Sequence, residues 1–77
     1  MDKRHENTYR KLKFNITYTR KMQGLSQLQL AERIGISRTH MSNIEAPNGD
    51  VGLSLDVLLD IADALGIPVA KLLEFRE

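Results

Sequence analysis

The chain has 77 residues, 42% apolar and 27% charged, with a formal net charge of +1 and no cysteine. That length holds one small domain rather than two, and the missing cysteine excludes a disulfide framework and thiolate metal sites. No apolar run reaches the roughly 20 residues of a membrane-spanning helix, and no apolar segment of the secretory kind follows the basic N-terminus, so a cytoplasmic protein is expected.

The charge is unevenly spread. Residues 1–25 hold seven Lys and Arg against two Asp and Glu, whereas residues 26–77 hold four against eight. Such asymmetry suits a protein with one side facing nucleic acid and one turned away, although two merely solvated ends would look the same.

Taken in order, Met1 to Asn7 reads as a flexible basic arm. A first helix is expected over 8–23, with Leu12, Ile16 and Thr19 to Met22 toward the core and Gly24 as its stop. Ile16, Thr17 and Thr19 beside Tyr18 lower its helix propensity, so it should depend on tertiary packing. Tyr9, Phe14 and Tyr18 fall off the core stripe; packing against the arm or a broad core is the simpler reading, and stacking on a partner the alternative.

Ser26 then opens a second helix, 27–34, as its N-cap, and Gln29 is placed to complete a capping box. Leu30, Ala31 and Ile34 make its apolar stripe, and Gly35 follows as a left-handed stop. Ser37 caps a third helix, 38–45, whose Met41 and Ile44 share one face while Arg38, Thr39, Ser42 and Asn43 share another. Two short helices around so tight a turn project the polar front of the second, an arrangement that fits a DNA major groove. Arg and Asn suit guanine and adenine edges, and Thr or Ser can add hydroxyl or methyl contacts.

Ala46 to Leu53 is a loop by its Pro, Asn, Gly and Asp content. Ser54 caps a fourth helix, 55–65, with Leu55, Leu58, Ile61, Ala62 and Leu65 toward the core and Asp56, Asp60 and Asp63 outward. Those aspartates lack the companion ligands of a calcium loop and read as a solvated face. Gly66 and Pro68 separate a short fifth helix, 69–75, in which Leu72 and Leu73 would close the core. The expectation is an all-α, five-helix domain with a central helix-turn-helix over 8–77.

The sequence resembles the XRE family of phage-repressor and Cro-type helix-turn-helix proteins over about residues 12–73. The resemblance rests on Gly24-Leu25-Ser26-Gln27, Leu30-Ala31, Ile34-Gly35-Ile36-Ser37, Ser42-Asn43-Ile44-Glu45 and Leu65-Gly66-Ile67. It implies a sequence-specific double-stranded-DNA-binding transcriptional regulator, a repressor acting as a homodimer on a two-fold operator, with Arg38, Thr39, Ser42 and Asn43 at base edges. Gln27 would meet a phosphate, and Arg20 and Glu45 match the family's partly buried ion pair, against the alternative of two independent surface charges. The family often has a polar residue directly after that glutamate; here it is Ala46, and Asn48 or backbone N–H groups would substitute at the phosphates. Ile67, Val69 and Leu73 match the family's dimer surface.

His40 lies off both faces of the third helix, at a phosphate or simply at the surface, and His5 lies in the arm. Two distant histidines without cysteine are no zinc pattern, and no nucleophile-base set, carboxylate pair or phosphate loop is evident, so a non-enzyme without cofactor or metal is expected. Two alternatives share the fold: an antitoxin-like or adaptor protein that chiefly binds another protein, and a controller of a restriction-modification system.

Overall fold

The structure is a computed structural model that describes residues 3–47 and 53–75. A 3₁₀ turn, Lys3–His5, leads into five helices: α1 (Glu6–Met22), α2 (Gln27–Ile34), α3 (Arg38–Glu45), α4 (Leu55–Leu65) and α5 (Val69–Leu72). No strand occurs among the described residues. The all-helical expectation with a central helix-turn-helix holds.

Local chemistry sets the boundaries of the central pair. Ser26 Oγ accepts the Gln29 backbone N–H at 3.0 Å while Gln29 Oε1 accepts the Ser26 N–H at 2.8 Å, a complete capping box. At the other end Gly35 adopts φ 75°, which lets Ile36 N–H reach back to Ala31 O at 3.0 Å and satisfy an otherwise orphaned carbonyl. Ser37 Oγ takes the His40 N–H at 3.0 Å, and α3 begins. One residue of left-handed backbone thus turns the chain through the corner between two caps.

The core is one cluster formed by Leu12 and Ile16 of α1, Leu30 and Ala31 of α2, Met41 and Ile44 of α3, Leu58, Ile61, Ala62 and Leu65 of α4, and Leu72 of α5. α2 lies against both α3 and α4, and α1 crosses α3, α4 and α5. Side chains finish the helix ends that face this packing. Gln23 Nε2 donates to Leu65 O at 2.7 Å and Arg33 donates to Ala64 O at 3.1 Å, while Asn15 Nδ2 donates to both Leu72 O and Glu74 O at 2.9 Å. These bonds supply partners that terminal carbonyls lack within the helix itself.

Several boundaries and burials differ from the expectation. Among the described residues the chain is helical from Lys3, and α1 starts at Glu6 rather than Thr8. Glu6 suits the positive end of the helix dipole and pairs with Arg10 at 3.6 Å. α5 ends at Leu72 rather than Phe75, where Asn15 takes up the Leu72 and Glu74 carbonyls. Lys21, Met22, Leu55 and Leu73 are exposed, not core. Leu55 lies on the α4 stripe, but α4 is buried only from Leu58 onward; periodicity names a face, and burial also needs a neighbour. Phe14 and Tyr18, expected to pack, are 66% and 55% exposed and stack on each other with centroids 6.1 Å apart.

The left-handed corner makes a stability prediction. Gly35→Ala should cost about 1 kcal/mol and Gly35→Asn less, because a Cβ is strained at positive φ and asparagine tolerates it best. Urea unfolding monitored by circular dichroism checks that order.

Candidate nucleic-acid interface

α3 has only eight residues, too few to hold a helix alone in water, so its shape is set by what its inner face touches. Met41 and Ile44 are fully buried, and Glu45 is buried beside them. Arg38, Thr39 and Asn43 are exposed and Ser42 half-buried. At 100° per residue these four span an arc of roughly 140° on the side away from Met41 and Ile44. The arc is a compact front of hydrogen-bonding groups on a helix anchored from behind.

The anchor is ionic. Arg20 of α1 donates through Nε to Glu45 Oε2 at 2.7 Å and through Nη2 to Glu45 Oε1 at 2.9 Å, a bidentate pair. The third guanidinium nitrogen donates to Leu25 O at 2.7 Å, so the same arginine also holds the turn that enters α2. Gln27, the first residue of α2, donates through Nε2 to Glu45 Oε1 at 3.1 Å. One carboxylate therefore joins the end of α1, the start of α2 and the end of α3. Among the described residues no buried side-chain nitrogen or oxygen lacks a hydrogen-bond partner.

Lys13 adds a second attachment that the sequence reading missed. It is buried, and its Nζ donates to Ala46 O at 3.2 Å, just beyond the last turn of α3. A cation at that position suits the negative end of the helix dipole. The available signal was spacing: Lys13 stands seven residues before Arg20, on the same side of α1.

The other expected site residues are distributed as follows. Gln27 is half-buried at the N-terminus of α2, with its amide nitrogen engaged by Glu45. His40 is half-buried between the outer and inner faces of α3. Asn48 lies outside the described residues. Ile67 and Val69 are half-buried and Leu73 exposed around α5, remote in sequence from the α3 front. Among the described residues no His, Asp and Glu cluster could hold a metal ion, and no helix is long and apolar enough to cross a membrane.

Two caps, a left-handed corner and a second helix with a buried back and a polar front define a helix-turn-helix domain of the DNA-binding kind. A family model described as Helix-turn-helix (HTH_3) matches residues 16–72, and the chain belongs to that family, the XRE or Cro-type DNA-binding regulators. The match runs from the middle of α1 to the end of α5 and so includes the Arg20–Glu45–Gln27 contacts but not Lys13. A comparison with curated proteins finds no match.

Breaking the anchor on one side should be expensive. Glu45→Ala leaves the Arg20 charge buried and should cost about 3–5 kcal/mol, whereas replacing both partners with apolar residues, Arg20→Met with Glu45→Leu, should recover most of that loss. A double-mutant cycle in chemical unfolding measures both; nearly silent single variants would mean the pair behaves as a solvated one.

Proposed function

We propose that the protein is a transcriptional repressor that binds a two-fold operator as a homodimer and reads base edges with the front of α3. The observation that carries this reading is the exposed set Arg38, Thr39 and Asn43, with Ser42 beside them, on a helix whose back is held by the Arg20–Glu45–Gln27 contacts. A rigid backing lets side chains meet bases without first paying to order the helix.

In this reading Arg38 forms a bidentate contact with guanine and Asn43 with adenine, while Thr39 and Ser42 supply hydroxyl or methyl contacts. Gln27 uses the remaining amide N–H on its Nε2 for a phosphate and holds its place through Glu45. His40, half-buried beside the α3 front, and Asn48 complete the phosphate contacts. These backbone contacts fix register, and the α3 front discriminates sequence.

One eight-residue helix reaches only a few base pairs, and a second copy one helical turn along the duplex extends the site. In this reading Ile67, Val69 and Leu73, half-buried or exposed around α5, supply the dimer contact. Repression follows from occupancy, because a dimer seated across a promoter excludes the polymerase.

Arg38→Ala and Asn43→Ala should each lose about 1–3 kcal/mol of discrimination at the bases they contact while retaining salt-dependent background binding. Titrating wild type and both variants onto duplexes that include the region upstream of the gene, across a salt series, checks this. Equal, weak binding of all three proteins to every fragment would overturn the regulator reading.

A further inference from the structure

The outward side of α1 is not used by the helix-turn-helix. Phe14 and Tyr18 lie roughly 150° or more around α1 from its buried side, where Lys13 and Arg20 reach the end of α3. The two rings stack, and with Phe75 they border a groove of about 560 Å³. Lys11 Nζ sits 5.9 Å from the Phe75 centroid. The edge next to Phe14 carries two exposed cations, Arg10, which shares an exposed ion pair with Glu6, and Lys21; they bracket the aromatic pair along the helix, roughly 16 Å apart at 1.5 Å per residue.

The outward side of α4 is its chemical counterpart. Leu55 and Leu59, also four residues apart, are 68% and 41% exposed. Asp56, Asp60 and Asp63 are all exposed on the strip beside them, and α4 contains no Lys or Arg. Asp56 and Asp63 lie roughly 10 Å apart along the axis, a span that the long stems of Arg10 and Lys21 can close from either side. Each helix thus presents a one-turn apolar pair with a charged strip alongside, and the two strips have opposite sign.

From this complementarity we infer that a second copy of this chain docks its α4 face on the α1 groove, Leu55 and Leu59 packing against Phe14 and Tyr18 while the aspartates meet Arg10 and Lys21. The contact joins two different patches, so it is head-to-tail, and a pair keeps one free patch of each kind, one on each copy. It is separate from the α5 surface and allows neighbouring DNA-bound copies to support one another. The charged strips make it weaken with salt.

The test needs no DNA and is therefore independent of the base-reading proposal. Sedimentation velocity of the full chain is followed over a concentration series at about 50 mM and about 500 mM salt. Two variants accompany it, Phe14→Ser with Tyr18→Ser and Asp56→Lys with Asp60→Lys, with circular dichroism melts to establish that these exposed changes leave the fold intact. Wild type should grow with concentration at low salt beyond the species that persists at high salt, and each variant alone should not. An equimolar mixture should form salt-sensitive complexes larger than either variant forms alone, because each variant retains the patch the other needs. Salt-independent wild-type size, a folded variant that associates as wild type does, or variants that fail to pair in the mixture would each overturn the inference.

Discussion

The buried contact between Arg20 and Glu45 is the constraint on which the arrangement of the first three helices depends. Removing two charges from water costs several kcal/mol for each ion, and attraction offsets this only with good geometry and further hydrogen bonds. Both conditions are met: the pair is bidentate, Leu25 O accepts from the guanidinium, and Gln27 donates to the carboxylate. A hydrophobic contact in the same place would hold α1 against α3 with less directional control. The ionic contact also fixes rotation and register, because the guanidinium fork meets a carboxylate in few orientations.

That directional control matters because α3 is so short. An eight-residue helix is unstable in isolation, and its front is useful for recognition only if its back is held. Met41 and Ile44 hold it by burial, Glu45 by ion pairing, and Lys13 by reaching the carbonyl just past its end. The four side chains on the front are free of such duties, and Arg38, Thr39 and Asn43 remain exposed. The stabilising contacts and the exposed polar front occupy opposite sides of two helical turns.

The uneven charge of the chain also acquires a place in space. The basic N-terminal third supplies an exposed strip on α1 beside two stacked aromatic rings, and the acidic remainder supplies an exposed strip on α4 beside two leucines. A net charge of +1 conceals both. For association and steering the local sign is what matters, since exposed charges act mainly within a Debye length of about 10 Å.

The sequence by itself determined the helices whose ends are written in local chemistry: Ser26 with Gln29, Ser37, Ser54 and the left-handed Gly35 and Gly66 act on backbone groups within a few residues of themselves. It also separated the front of α3 from its back, because helical spacing alone places Arg38, Thr39, Ser42 and Asn43 apart from Met41 and Ile44. The Arg20–Glu45 match came through resemblance to a family, since nothing local links residues 25 positions apart. Only the tertiary structure decided that Lys13 is buried against Ala46, that Gln27 joins the ion pair, that Asn15 receives the end of α5, and that Phe14, Tyr18, Leu55 and Leu73 stay exposed. Each depends on which neighbour another helix brings near. Hydrophobicity and periodicity describe a side chain's preference, whereas burial and pairing belong to the assembled packing.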